Sequence, residues 1–239
     1  MSRKDVRTRP NGLIIAIDGP SGAGKSTLTR LLAGRLGYLH IDTGAMFRAV
    51  ALAAKRAGIA VDDGEALAAL CRGLTISFAR NDGDCRVLLN GEDVSGQIRT
   101  PEISLLTSGV SAVKSVRECL LERQREMGVA GGVVLEGRDI GTVVFPAAEV
   151  KFFLTASIEE RGRRRYQELL AKGEDVSLQG TIAEVARRDE QDEQREHAPL
   201  RRAPDAIDID SSGLSIEEVL TLMEGIIKAR VKGEPKDEL

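Results

Sequence analysis

Aromatic, histidine and cysteine residues are all scarce in this sequence. Of its 239 residues, 3% are aromatic, none is tryptophan, two are histidine and three are cysteine. Cys71, Cys85 and Cys119 lie far apart, so their spacing predicts neither a disulfide framework nor a zinc cluster, as is typical of a reducing cytoplasm. The low aromatic content and the lack of a long apolar stripe favour a monomer.

The sequence also has no cationic excess and no long apolar run. Its 34 lysines and arginines against 37 acids give a net charge of -3, which argues against a duplex-binding surface. No segment is apolar enough to span a membrane, and residues 1–11 lack the apolar centre of a signal peptide. The last four residues spell an endoplasmic-reticulum retention signal, Lys-Asp-Glu-Leu, which we interpret as a frayed charged tail. We therefore expect a soluble cytoplasmic protein whose partners are small molecules, with no nucleic acid and no membrane.

A glycine-rich loop stands between an apolar run and a helical pattern. The run Leu-Ile-Ile-Ala-Ile at 13–17 predicts a buried parallel strand, and leucines at helical spacing over 25–36 predict the helix. The loop matches the full phosphate-binding pattern G-x-x-x-x-G-K-[ST]. Its residues are Gly19, Pro20, Ser21, Gly22, Ala23, Gly24, Lys25, Ser26 and Thr27. This strand-loop-helix setting predicts a site for the phosphates of a nucleotide; the alternative is a glycine-rich turn without a ligand.

The residue types of the loop fit that chemistry. Glycines let successive backbone N–H groups converge on one anion, and the start of the helix adds partial positive charge. Lys25 would bridge the β- and γ-phosphates of ATP, and the Ser26 hydroxyl would bind Mg²⁺.

The remainder of the chain alternates strands and helices. Apolar runs end at Ile41, Leu135, Leu154 and Ile209, and a polar residue and a helical pattern follow each one. This order predicts a doubly wound α/β fold, a phosphate-loop NTPase-like parallel sheet flanked by helices. Serine and glutamate three residues apart predict capping boxes at the last two helices, in the pairs Ser157 with Glu160 and Ser215 with Glu218.

One segment interrupts this alternation. Residues 74–94 read as a hairpin with turns at 81–84 and at Asn90-Gly91, which predicts a small antiparallel sheet inserted into the parallel fold. We expect a single domain with a core of about 12–61, 117–157 and 178–230, an insertion at about 62–116 and a short helical lid at about 158–177.

Charged residues follow the predicted strands where open α/β sheets bind their ligands. Asp42, Thr43 and Arg48 follow the second strand, and Glu136, Arg138 and Asp139 follow the third. Two arginines at one rim suit a second phosphate group. The alternative is that Arg48 and Arg138 pair with nearby acids.

Two further charged groups lie on predicted helices. Arg188, Asp192 and Arg195 are spaced to share one helix face, where a solvated salt-bridge ladder is the simpler interpretation. The arginines at 161, 163, 164 and 165 are either a solvated face or part of a lid over a transferred phosphoryl group.

Several segments together resemble the bacterial cytidylate kinase family. They are IDGPSGAGK at 17–25, DTGAMFR at 42–48, GQIRT at 96–100, EGRDIGTVVFP at 136–146 and APL at 198–200. The GRDIGT run and the inserted hairpin are specific to that family. The resemblance implies transfer of the γ-phosphoryl group of ATP to CMP or dCMP, giving ADP and CDP or dCDP, and it implies that the insertion binds the monophosphate.

The resemblance also implies roles for individual residues. Arg48 and Arg138 would hold the CMP phosphate, with Asp42 and Thr43 beside them, while Ser108, Arg117 and Asp139 would read the cytosine. Arg188, Asp192 and Arg195 would lie at the phosphate and ribose side. Lys25, Arg138, Arg161, Arg165 and Arg188 would act on the transferred group, and Glu136 would contact Mg²⁺ through water. Phe47 departs from the family, in which a tyrosine often precedes the motif arginine.

Two other functions stay open from the sequence. One is a different small-molecule kinase on the same phosphate-loop scaffold. The other is a nucleotide-dependent switch protein, against which stand a second phosphate site and the lack of a guanine-reading Asn-Lys-x-Asp segment.

Overall fold

A computed structural model of the protein describes residues 9–81 and 84–232. The elements, in chain order, are β1 Ile14–Asp18, α1 Lys25–Leu36, β2 Leu39–Asp42, α2 Thr43–Ala57, α3 Gly64–Gly73, β3 Ile76–Asn81, β4 Asp84–Leu89, β5 Glu92–Asp93, α4 Pro101–Ala112, α5 Lys114–Gly128, β6 Val133–Gly137, β7 Val150–Thr155, α6 Ile158–Ala171, α7 Leu178–Gln194, β8 Ile207–Asp210 and α8 Ile216–Lys232. A 3₁₀ turn at Gln97–Arg99 and a π-helical turn at Ile140–Val144 complete this order. In the part of the chain so described, no helix is both long and apolar enough to cross a membrane.

The predicted parallel sheet is confirmed. Its five strands lie in the order β2-β6-β1-β7-β8. β1 runs parallel to β6 on one side, with Ile14 opposite Val133, and parallel to β7 on the other, with Ile15 opposite Val150. All five residues of β1 are buried, as its continuous apolar sequence predicts for a central strand covered on both faces.

The chain divides into two compact units. One comprises Met1–Leu39 and Ala130–Leu239, and the other comprises His40–Val129. The first unit has a core in which apolar residues of β1 and β7 pack with α1 and α8. Its fully buried members include Ile15, Leu32, Phe152, Leu220 and Met223. This packing fixes the start of α1, and with it the glycine-rich loop, against the sheet.

The second unit has its own apolar core and its own sheet. The core joins α2, α3, α4 and α5, with Met46, Leu67, Ile103 and Leu120 among its buried residues. β3, β4 and β5 form the antiparallel sheet that the sequence predicts, with Ile76 opposite Leu89. The turn at Asn90-Gly91 is confirmed, because both residues have positive φ angles, 50° and 85°. Asp82 and Gly83, like the C-terminal Lys-Asp-Glu-Leu, lie outside the described residues.

The two predicted capping boxes differ. At α8, Ser215 Oγ accepts the Glu218 N–H at 3.2 Å, and the Glu218 carboxylate accepts the Ser215 N–H at 2.8 Å, so both halves form. At α6, Ser157 Oγ accepts the Glu160 N–H at 3.2 Å, but the Glu160 carboxylate contacts Arg163 and Arg164 instead. The capping box of α6 therefore forms only half of the predicted motif, because two arginines on the same helix compete for the Glu160 carboxylate.

Candidate active site

The glycine-rich loop connects β1 to α1 in the first unit. Gly19 has a φ of 152°, and a Cβ on it would lie 2.0 Å from the Leu154 carbonyl oxygen. Gly22 has a φ of 77°, and a Cβ there would lie 3.0 Å from the Arg161 carbonyl oxygen. Side chains at these two positions would both strain the backbone and collide with neighbouring main chain. The loop therefore requires glycine where the sequence pattern places it.

Lys25 is the first residue of α1 and is buried. Its Nζ donates to the carbonyl oxygens of Gly19 at 2.8 Å and Pro20 at 2.6 Å, so its ammonium lies within the curve of the loop. The pKa of Lys25 is lowered to about 7, because burial and the charge of Arg138 outweigh the opposing charge of Glu136. A polyanionic ligand would supply the compensating charge and so stabilise the protonated form of this buried lysine.

Ser26 and Glu136 lie side by side at the start of α1 and in β6. The Ser26 hydroxyl donates to Glu136 Oε2 at 2.7 Å, and Glu136 is buried. A hydroxyl and a carboxylate are hard oxygen donors of the kind that Mg²⁺ prefers, and Mg²⁺ usually takes its other ligands from water and substrate phosphates. Within the described ranges no group of three or more His, Cys, Asp or Glu side chains could hold a metal ion. The two residues therefore fit a metal held jointly with a nucleotide.

Arg161 of α6 contacts the outer side of the loop. Its Nη1 donates to the Ser21 carbonyl at 3.1 Å, its Nε donates to the Ala156 carbonyl at 2.9 Å, and it pairs with Asp189 of α7. The guanidinium group is thus buried among protein acceptors.

Two more residues of the first unit contact another carbonyl of the loop, that of Ala23. Arg164 Nη1 and Ser211 Oγ both donate to the Ala23 carbonyl, at 3.4 and 3.2 Å, and Arg164 also donates to Ser211 Oγ at 3.1 Å. Arg165 instead pairs with Glu168 on its own helix at 2.9 Å. The arginine run therefore divides its contacts between the loop and the surface of α6.

Arg138, Asp192 and Arg195 form one charged network. Asp192 Oδ2 accepts from Arg138 Nε at 2.7 Å, and Arg195 Nη2 lies 3.2 Å from Asp192 Oδ1. Burial raises the pKa of Asp192, but the charges of Arg138 and Arg195 outweigh it and hold that pKa below its usual value. Arg188 contributes in the same direction. The side chains of Arg138, Asp192 and Arg195 are 18, 14 and 12% exposed, so they form a half-buried cluster rather than a solvated ladder.

Arg195 lies at the end of α7. The helix ends at Gln194, and Arg195 is its capping residue, with a ψ of 134°. The chain reverses there toward Pro199, and the Leu200 N–H donates to the Asp192 carbonyl at 2.8 Å. From this capping position the Arg195 side chain pairs with Asp192, three residues before it, as the predicted spacing implies.

Asp139 follows Arg138 and begins the π-helical turn at Ile140–Val144. It is 8% exposed, and its carbonyl oxygen accepts the N–H groups of Val143 and Val144 at 2.9 and 3.1 Å. Asp18, the last residue of β1, accepts the N–H groups of Ile140 and Gly141 at 2.8 and 2.7 Å.

Asp42, Thr43 and Arg48 lie in the second unit at the start of α2. Asp42 caps the helix, because its Oδ1 accepts the Ala45 N–H at 2.9 Å. Thr43 is buried and Arg48 is half-buried one turn further along. The predicted role of Asp42 in binding thus coexists with a structural role as a helix cap.

Arg117 and Ser108 also lie in the second unit, on α5 and α4. The Arg117 guanidinium lies 5.2 Å from the centre of the Phe47 ring, and its Nη1 donates to the Ser111 carbonyl at 3.0 Å. A cation over an aromatic face is attracted by the ring quadrupole. Phe47, the departure from the family pattern, therefore contacts a predicted cytosine-reading residue. Ser108 is half-buried, and its carbonyl accepts the Ser111 hydroxyl at 3.0 Å.

The sequence patterns did not identify three residues that lie around the loop. Asp18 and Asp189 are buried acids, and Ser211 follows β8. Asp18 could have been noticed as a charge at the end of an apolar strand, directly before the glycine-rich loop. Asp189 gave no signal apart from its neighbours, because a helical acid flanked by charges is typical of an exposed surface.

Comparison with known proteins identifies the family of this chain. Residues 15–229 match the family model described as cytidylate kinase. The chain is 70% identical to the cytidylate kinase of Geobacter sulfurreducens over 94% of this chain and 96% of that protein. It is 64% identical to the cytidylate kinase of Syntrophotalea carbinolica, over 91% and 93% of the two chains. A match of this extent covers the phosphate loop, the charged cluster around Asp192 and the whole second unit, and the chain therefore belongs to the cytidylate kinase family.

Proposed function

We propose that this protein transfers the γ-phosphoryl group of ATP to CMP or dCMP, giving ADP and CDP or dCDP. The observation that carries this proposal is that the first unit contains both an intact phosphate loop and the half-buried cluster of Arg138, Asp192 and Arg195. A nucleotide-binding switch needs only the loop, whereas a kinase for a phosphorylated acceptor needs cations for a second phosphate group as well. The relatives named cytidylate kinase support the choice of a cytidine nucleotide.

ATP would bind through Gly19–Thr27. The N–H groups of the loop and the start of α1 would hold its phosphates, and Lys25 would exchange its two carbonyl acceptors for phosphate oxygens. Ser26 and Glu136 would hold Mg²⁺, with Glu136 acting through water. When bound, that ion would neutralise charge on the phosphates and stabilise the leaving group.

The acceptor phosphate would lie against Arg48 and Arg138. One of its oxygens forms a bond to the γ-phosphorus of ATP while the bond to the β,γ-bridging oxygen breaks. The phosphate oxygen is already anionic, so no general base is needed. Catalysis is then mainly positioning and charge neutralisation, to which Arg138, Arg161, Arg165 and Arg188 would contribute. In the case of Arg161, this requires its guanidinium to give up an acceptor such as the Ser21 carbonyl.

Cytosine would be read by Ser108, Arg117 and Asp139. Its N4 amino group is a donor, and N3 and O2 are acceptors, so a carboxylate and an arginine complement it. Uracil has a donor at N3 and an acceptor at C4, and would leave these buried groups unpaired. Asp42, Thr43, Asp192 and Arg195 would complete the contacts to phosphate and ribose. We further propose that the protein acts as a cytoplasmic monomer.

An acceptor panel tests the proposed function. Release of ADP from Mg-ATP is measured with CMP, dCMP, UMP, AMP, shikimate and no acceptor. We expect fast release with CMP and dCMP alone. Fast release with shikimate or another acceptor would keep the kinase and overturn the cytosine assignment, and slow release that needs no acceptor would overturn the kinase.

A further inference from the structure

Asp18 is a buried carboxylate whose two oxygens have separate partners. Oδ1 accepts the Ile140 N–H at 2.8 Å, and Oδ2 accepts the Gly141 N–H at 2.7 Å. The residue is 3% exposed and ends an otherwise apolar strand. Asp18 thus connects the strand before the phosphate loop to a turn 122 residues further along the chain.

That turn directly follows Arg138 and Asp139. On the other side of these two residues, Gly137 is paired with Asp18 in the register of β1 and β6. Asp18 therefore holds the chain on both sides of Arg138 and Asp139. Its backbone pairs with the residue before them, and its side chain binds the turn after them. The first N–H groups of a helical turn have no partner within the turn, so they need an outside acceptor of this kind.

The space around Gly141 leaves this turn little freedom. A Cβ at Gly141 would lie 3.0 Å from Lys151 Cδ and 3.3 Å from Asp18 Oδ2. Lys151 is itself held, because its Nζ donates to the Pro146 carbonyl at 2.6 Å and to Asp205 at 2.8 Å. A change in the Asp18 side chain would therefore shift the backbone of the turn, because the side chains around the turn have little room to rearrange.

A carboxylate at this position is costly. The pKa of Asp18 is raised to about 6, because burial and, to a smaller extent, the charge of Asp139 outweigh the two backbone hydrogen bonds and the charge of Lys25. A neutral asparagine would avoid that cost, but it has one acceptor oxygen for two N–H donors, and its amide group would face the other N–H. Compared with asparagine, aspartate therefore has the higher cost of burial but provides an acceptor oxygen for each of the two N–H groups of the turn.

We propose that Asp18 is a positioning residue that orients Arg138 and Asp139 toward the acceptor nucleotide. This inference rests on the proposed function, in which those two residues contact CMP. Asp18 acts through the backbone of the turn and has no contact with substrate.

The test compares Asp18→Asn with a matched control, Glu149→Gln. Glu149 is a second carboxylate that accepts a backbone N–H of β1, from Ile14 at 2.8 Å, but at the opposite end of the strand. For both variants and the parent protein, kcat, the KM for CMP, the KM for ATP and the Tm are measured. A misplacement of about 1 Å costs about a hundredfold in rate, so we expect kcat/KM for CMP to fall at least about tenfold in Asp18→Asn. Its KM for ATP should stay within about twofold and its Tm should not fall, and Glu149→Gln should retain kcat/KM for CMP.

Three results would overturn the inference. Unchanged kinetics in Asp18→Asn would show that the turn needs no carboxylate. An equal rise in the KM values for ATP and CMP would mean that Asp18 supports the phosphate loop instead. A fall in Tm parallel to the loss of activity would mean a structural role. In each case the parent protein phosphorylates CMP; if the parent does not, the proposed function fails, and this inference fails with it.

Discussion

At the scale of single residues, the phosphate loop brings a buried lysine and main-chain carbonyls together. Lys25 donates to two carbonyl oxygens of its own loop, at 2.6 and 2.8 Å, and burial lowers its pKa to about 7. These contacts hold the ammonium at the centre of the loop. The residue is thereby positioned for a polyanion by main-chain acceptors.

Removing this ammonium group should abolish catalysis. For Lys25→Met, which keeps most of the aliphatic stem, we expect kcat for ADP release with CMP to fall by at least about a hundredfold. Lys172→Met is the control, because Lys172 is paired with Glu168 on the surface of α6. Circular dichroism should show both variants folded. Retention of more than a tenth of the activity in Lys25→Met would contradict the assigned role.

Substitution of Asp139 should relax the choice of base. For Asp139→Ala we expect the ratio of kcat/KM for CMP to that for UMP to fall at least about tenfold, because the carboxylate no longer favours the cytosine donor. Asp93→Ala, in the exposed strand β5, serves as the control. An unchanged ratio in Asp139→Ala would exclude that residue from base recognition.

Asp18 should also leave a signature in the pH dependence of stability. Its pKa is raised from 3.8 to about 6 in the folded protein, so between these values the folded state binds a proton that the unfolded state has lost. The stability that this proton provides is fully present below pH 3.8 and is lost as the pH rises through about 6. A shift of this size corresponds to about 3 kcal/mol.

Urea unfolding of the parent and Asp18→Asn from pH 4 to pH 7 measures this effect. Because asparagine does not titrate, the free energy of unfolding of the variant should rise relative to that of the parent by up to about 3 kcal/mol across this range. A constant difference between the two proteins would show that Asp18 has an ordinary pKa.

At the scale of secondary-structure elements, the two serine caps offer a matched comparison. The cap of α8 has hydrogen bonds in both directions between Ser215 and Glu218, whereas the cap of α6 has one, from the Glu160 N–H to Ser157. We expect Ser215→Ala to lower the free energy of unfolding by about 1 kcal/mol, and Ser157→Ala to lower it by less. Chemical denaturation of the two variants measures both values, and a larger loss for Ser157→Ala would reverse this ranking.

Elements also show where sequence patterns succeed and fail. The apolar run before Asp18 predicts β1, and the leucine spacing after Gly24 predicts α1, because burial of a strand or of a helix face imposes a period on nearby residues. The end of α7 at Gln194 was not predicted. The helical spacing of charged residues continues through Arg195, whereas the helical backbone ends one residue earlier. A side-chain period records which face is buried and not where the backbone leaves the helix.

At the scale of the whole molecule, the chain folds as two units with separate apolar cores. Leu32 is fully buried in the core of the first unit, and Leu120 is fully buried in that of the second. Each Leu→Ala substitution should lower the free energy of unfolding by about 2–5 kcal/mol. Because Leu32 and Leu120 belong to different apolar clusters, the double variant should show the sum of the two losses to within about 0.5 kcal/mol. A departure of more than about 1 kcal/mol in urea unfolding would show that the two cores are coupled.

The sequence alone was sufficient for the phosphate loop, the order of strands and helices and the inserted hairpin. These features depend on residues close together in the chain, where spacing and the conformational freedom of glycine act directly. Only the tertiary structure decided which charged groups meet. The contacts of Arg138 with Asp192, Arg161 with Ser21 and Asp18 with Gly141 join residues 54, 140 and 123 positions apart. Strand order and helix packing bring such partners together, and no local period in the sequence records them.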